Sequence, residues 1–176
     1  MNSRESTSKS KLRLLVDTSF LLPAMGIETE KEVMEAIKHF HIAEIHYLEV
    51  SILEAMWKII KVVPADKLDR VKEGIEAIME TYKRVTPQPE AYIDAYKLYL
   101  EGHRDYIDNL IYATSQRLHL PLLTVDREFI NFLKEKGYST RNIMTPNKVK
   151  RARTAFDPER RGFHSKRRRD RDKGSY

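Results

Sequence analysis

Two short runs, LRLLV at 12–16 and PLLTV at 121–125, are almost wholly apolar, and an aspartate follows each at once. Apolar runs of this length read as buried strands rather than helices. Helical stripes fill the space around them. Val33, Ile37 and Phe40 mark a helix at about 29–40, and a second strand is expected at 42–47. Residues 50–60 carry Ile52, Leu53, Met56, Trp57 and Ile59, a largely buried helix that Pro64 ends. Leu68, Val71, Ile75, Ile78 and Tyr82 form another stripe, and 84–86 is a short strand. Pro89 suits the first turn of a helix reaching 101, close to Gly102. Further helices are expected at 106–118 and at 127–136, the latter stopped by Gly137, with a last strand at 142–144. No internal repeat is present. This order predicts an α/β fold of three layers, α/β/α, around a central, mainly parallel sheet.

A carboxylate at the end of a buried strand is costly unless it is paired, hydrogen-bonded or metal-bound. In open parallel sheets, ligands bind beyond the carboxyl ends of the strands, and Asp17 and Asp126 are carried to that edge. Asp108, in the first turn of the helix before PLLTV, starts at the same edge. Glu54 lies on the helix after the second strand, with Ser51, Lys58 and Lys61 on its face. Four converging carboxylates repel one another and raise their pKa values. A hard divalent cation removes that cost, and an all-oxygen donor set selects Mg²⁺ or Mn²⁺. Each acid also has a plain structural use. Asp126 suits a helix N-cap, Asp108 a first turn capped by Asp105, and Glu54 an i,i+4 pair with Lys58.

LLVDTSFLL (14–22), VSILEAMWKI (50–59), DYIDNLIYATSQRLHLPLLTVDREF (105–129) and the closing NIMTP resemble the PIN domain, a family of metal-dependent ribonucleases that includes prokaryotic toxins and RNA-processing enzymes. The resemblance covers about residues 10–146. It implies that Asp17, Glu54, Asp108 and Asp126 are the acidic quartet that holds metal and carries catalysis. Thr18, Ser19 and Thr124 fall on the supporting polar positions. Asn109 stands where a small residue is commoner, a departure that concerns packing. The implied activity is a Mg²⁺- or Mn²⁺-dependent endoribonuclease hydrolysing RNA phosphodiester bonds, in RNA processing or as the toxin of a toxin–antitoxin pair. A catalytically silent PIN-like RNA-binding or assembly module is the alternative.

The charge is uneven. Of 32 Lys+Arg and 26 Asp+Glu, residues 147–176 hold 12 and 4, leaving a slightly acidic body and a strongly basic end. Three segments are therefore expected: a disordered leader at 1–10, a nuclease domain at 11–146 and a disordered RNA-binding tail at 147–176. In the tail, Arg160, Arg161, Lys166, Arg167, Arg168 and Arg169 interleave with Phe156 and Phe163, a pattern suited to phosphate contact and base stacking. Cysteine is absent, which excludes disulfides and thiolate zinc sites. The leader has no apolar signal segment and no run is long enough to span a membrane, so a cytoplasmic location is expected. Neither phosphate-binding glycine motif occurs, and Ser19 stands where a phosphoryl-aspartate hydrolase needs a second acid. His103 reads as a surface histidine. Tyr92, Tyr96 and Tyr99 read as core or as a subunit interface, and with Leu100 they suggest a homodimer.

Overall fold

The computed structural model describes residues 11–156. Five strands form one sheet: β1 (Leu12–Val16), β2 (Ala43–Leu48), β3 (Lys83–Val85), β4 (Leu122–Leu123) and β5 (Ile143–Met144). Their spatial order is β3-β2-β1-β4-β5, and every pairing is parallel. β1 is central, with Leu15 opposite both His46 and Leu122. The chain builds outward from β1 in one direction, then returns to build in the other. The switch point lies between β1 and β4, where the carboxyl ends open a crevice.

Strand alternation splits the core into two faces. Leu14, Val16, Ile45, Tyr47 and Leu123 point to one side, Leu15, Leu48 and Leu122 to the other. The first face is covered by α1 (Lys31–Ile37), α2 (Glu49–Val62), α3 (Leu68–Thr81) and α7 (Pro146–Phe156). Val33, Ile52, Ile59, Val71, Ile78 and Val149 supply their buried contacts. The second is covered by α4 (Pro89–Leu100), α5 (Tyr106–Arg117) and α6 (Arg127–Glu135), through Ala95, Leu98, Leu110, Ile111, Phe129 and Leu133. The three-layer, parallel architecture is the one the sequence predicts.

Two glycines do specific work. Gly137 ends α6 with φ +78°, a left-handed conformation that a side chain resists. Gly74, mid-way along α3, lets that helix approach the turn at Leu22–Met25 closely. A Cβ there would lie 2.3 Å from the backbone oxygen of Ala24.

The differences from expectation are local. α1 occupies only 31–37 of the expected 29–40, because Glu30 is its N-cap and the chain tightens into a 3-10 turn at Phe40–Ile42. The regular part of the PLLTVD strand is two residues long, since the Thr124 hydroxyl turns back to accept the Asp126 N–H at 3.0 Å and starts α6. Pro146 is not the end of the packed body. It opens α7, which lies against α1 and buries Val149 completely. The periodicity is hard to see because Val149 is a lone valine among lysines and arginines. On α4, Tyr92 and Tyr96 are exposed rather than core, and Ala91, Ala95 and Leu98 carry the packing. The expected leader, and the tail cations Arg160, Arg161, Lys166, Arg167, Arg168 and Arg169, lie outside the described residues. Among the described residues no helix is long and apolar enough to cross a membrane.

Candidate active site

Asp17 and Asp126 follow the carboxyl ends of β1 and β4, and Asp108 and Asp126 fall at the starts of α5 and α6. Asp17 follows β1 directly and is 6% exposed. Its Oδ1 accepts the Ser19 N–H at 2.8 Å, and the nearby hydroxyls of Thr124 and Ser19 favour its charged form. The Thr124 hydroxyl accepts the backbone N–H of Asp126 at 3.0 Å and lies beside Asp17, whose charged form it favours. Asp126 is the N-cap of α6, its Oδ1 accepting from Phe129 N at 2.8 Å. Its structural use and its position at the crevice therefore coexist.

Glu54 reaches the crevice from α2 and is almost fully buried. The Thr18 hydroxyl donates to its Oε2 at 2.5 Å, and the Lys58 ammonium lies 2.8 Å from its Oε1. Both carboxylate oxygens are engaged by the protein. Ser51, one turn earlier on the same helix, is completely buried with its hydroxyl unpartnered among the described residues.

Asp108 sits in the first turn of α5, below the Asp105 cap, which accepts from Ile107 N at 3.0 Å and Asp108 N at 3.2 Å. Burial, first, and then the charges of Asp105, Asp17, Glu54 and Asp126 push its carboxyl up to about 8. Asp17 is pushed up to about 6 by burial, with Glu54 adding to the rise and its hydrogen bonds opposing it. Asp108 responds to all three other members of the expected quartet, so the fold brings the four acids into one electrostatic field.

Asp105 belongs to that field as a fifth carboxylate, and sequence reasoning assigned it only a capping role. Lys58, assigned only a surface pairing, is the cation of the group. Asn109 fills its position without loss. It is fully buried, its Nδ2 donates to His103 O at 2.9 Å, and its Oδ1 accepts from His103 Nδ1 at 2.7 Å. The His103 ring stacks on Phe129 with centroids 4.3 Å apart. His103 is therefore a pin joining the α4–α5 loop, α5 and α6 rather than a surface histidine.

The chemistry of the donor set, carboxylates and hydroxyls, suits a hard cation, and two of the acids are raised first by burial and then by neighbouring negative charge. As placed, no group of three or more His, Cys, Asp or Glu among the described residues is close enough to enclose an ion. Engagement of Glu54 by Thr18 and Lys58, and of Asp126 by its helix, accounts for side chains held toward protein partners instead of one centre.

The PIN domain family model matches residues 14–134, well over half of the chain. The chain belongs to the PIN domain family. A toxin–antitoxin complex from Klebsiella pneumoniae is similar in structure, with TM-score 0.54 and 18% identity, covering 76% of this chain and 97% of that one. FitAcB from Neisseria gonorrhoeae matches with TM-score 0.55 and 13% identity over 76% of this chain and 97% of that one. VapC20 of Mycobacterium tuberculosis, described as a Sarcin-Ricin loop cleaving toxin, matches with TM-score 0.51 and 12% identity over 67% and 93%. At these identities the likeness is one of fold. No curated protein matches the chain.

Proposed function

We propose that this protein is a cytoplasmic, metal-dependent endoribonuclease that hydrolyses RNA phosphodiester bonds, as an RNA-processing enzyme or as a toxin restrained by an antitoxin. The observation that supports the proposal is that Asp17 and Asp126 follow the carboxyl ends of the adjacent strands β1 and β4, while the Asp108 carboxyl, raised first by burial, also feels the charges of Asp17, Glu54 and Asp126. Asp17, Asp108 and Asp126 would hold a Mg²⁺ or Mn²⁺ ion, with Glu54 completing the site. When bound, such an ion supplies Lewis acidity at the phosphate and an activated water. Thr124 would orient Asp17 and Asp126, and Thr18 holds Glu54, which would orient the attacking water. Water would add to phosphorus and give up a proton to solvent, while the P–O bond to the ribose oxygen breaks and that oxygen takes up a proton, leaving a phosphomonoester and a hydroxyl.

The test is cleavage of RNA oligonucleotides in Mg²⁺, Mn²⁺ or EDTA, comparing the wild type with Asp17→Asn and Asp108→Asn. Metal-dependent cleavage that both variants lose supports the reading. Cleavage that persists in EDTA or in both variants overturns it. The other reading, a silent RNA-binding or assembly module, draws on the engagement of Glu54 by Lys58 and the open spacing of the acids. RNA binding without cleavage under any cation would select it.

A homodimer is part of the proposal. Tyr92, Ile93, Tyr96 and Leu100 make an exposed apolar face on α4, larger than a solvated helix needs. A monomeric mass by light scattering at micromolar concentration would remove it.

A further inference from the structure

Lys58 differs from the other lysine–glutamate pairs on the helices. The Lys72–Glu76 pair has the same i,i+4 spacing, but both side chains are more than half exposed and the atoms are 3.5 Å apart. At Lys58 the carboxylate partner is 11% exposed and the separation is 2.8 Å. Burial works against the Lys58 charge, yet the hydrogen bond to Glu54 and the charges of Glu54, Asp108 and Asp17 outweigh it and raise its pKa. The ammonium is thus held by Glu54, with its charge facing the same crevice as Asp17 and Asp108. An exposed ion pair contributes little; one that neutralises a half-buried cluster offsets several repulsions together. Any second cation entering the crevice meets both the carboxylates and this fixed positive charge.

We propose that Lys58 is a positioning residue that competes with the divalent cation for the acidic crevice, so that cation binding is coupled to release of Glu54 from the Lys58 ammonium. This inference rests on the metal-dependent reading above. Lys58 keeps the carboxylates compatible with one another when no ion is bound, and it raises the cation concentration needed to fill the site. Glu54 remains oriented during the exchange, because the Thr18 hydroxyl holds its other oxygen.

The experiment is calorimetric titration of EDTA-stripped full-length protein with Mn²⁺, for the wild type, Lys58→Met and Lys58→Arg, with melting curves in EDTA and in saturating Mn²⁺. Lys58→Met should bind Mn²⁺ at least about tenfold more tightly, since a unit charge about 6 Å from a divalent ion is worth about 1.4 kcal/mol even at the dielectric of bulk water. Lys58→Arg keeps the charge and should restore the wild-type affinity. Lys58→Met should melt below wild type in EDTA, and the gap should narrow in Mn²⁺. A purely structural ion pair would lower both melting points alike and leave the affinity unchanged. Equal Mn²⁺ affinity in wild type and Lys58→Met overturns this inference alone. Absence of Mn²⁺ binding in all three proteins overturns the metal-dependent reading and takes this inference with it.

Discussion

The Thr18 hydroxyl donates to Oε2 of Glu54 at 2.5 Å and ties the turn after β1 to α2, 36 positions further along the chain. Both groups are buried, so the bond cannot be replaced by water without rearrangement. Thr18→Val keeps the shape and removes the donor. Leaving one oxygen of a buried carboxylate unpaired should cost about 1–3 kcal/mol. Urea unfolding in EDTA measures it, and a loss inside the range of ordinary surface changes, about 0.5 kcal/mol, would show that Glu54 does not depend on Thr18.

The two raised acids fix a pH dependence. Burial above all lifts Asp17 to about 6 and Asp108 to about 8, whereas both titrate near 3.8 in their ordinary state. The folded protein therefore keeps protons that the unfolded chain has already released, and stability falls with rising pH wherever the folded state binds more protons. The contribution is fully present in acid and is lost as pH rises from about 4 through about 8. Above about pH 6 Asp17 has largely titrated, and the remaining slope belongs to Asp108. In EDTA, the unfolding free energy should drop by several kcal/mol across the range, since each pH unit separating the folded from the unfolded pKa is worth about 1.4 kcal/mol. Asp108→Asn should flatten the upper part and be the more stable protein at about pH 8. An upper limb unchanged in Asp108→Asn would show that the Asp108 carboxyl is not raised in the folded protein.

Gly74 gives a stability prediction with an unusual sign. Alanine normally stabilises a helix interior over glycine by about 1 kcal/mol. Here the added Cβ would meet the Ala24 oxygen at 2.3 Å and the Met25 Cα at 2.6 Å, both backbone atoms that cannot rotate away. Gly74→Ala should therefore destabilise by about 1–3 kcal/mol, the range of an overpacked core. Chemical denaturation decides, and a stabilised variant would mean that α3 lies further from the Leu22–Met25 turn.

The parallel sheet and its helices were legible because LRLLV and PLLTV leave no polar face, and because the stripes at Val71–Ile78 and Leu110–Ile111 keep a helical period. The acids were legible for a related reason: an apolar strand running straight into Asp17 or Asp126 has few uses for the charge. Other features depended on three-dimensional partners. Nothing local distinguishes Lys58 beside Glu54 from Lys72 beside Glu76; only the fold puts Asp17 and Asp108 within reach of one and not the other. His103 reads as a surface residue until Asn109 and Phe129 are brought against it. α7 was hidden because its buried Val149 stands among residues that are mostly charged or small.

The position of Val149 also decides how the basic C-terminal segment should be tested. Truncation after Pro146 would strip a fully buried side chain from the core, so any change in RNA binding would be mixed with a packing defect. Truncation after Phe156 removes Arg160, Arg161, Lys166, Arg167, Arg168 and Arg169 while keeping all of α7. Residues 157–176 hold 8 Lys+Arg against 4 Asp+Glu, a surplus suited to phosphate contact. If about 4–6 of these cations meet single-stranded phosphates, their loss should flatten the log K versus log salt slope by roughly 3–4 units. Turnover of a short, saturating substrate should stay close to that of the full chain, because the four acids lie between residues 17 and 126. Fluorescence anisotropy across a salt series, paired with single-substrate cleavage, separates the two effects. A 156-residue protein that keeps the full-length salt slope would remove this segment from the RNA interface.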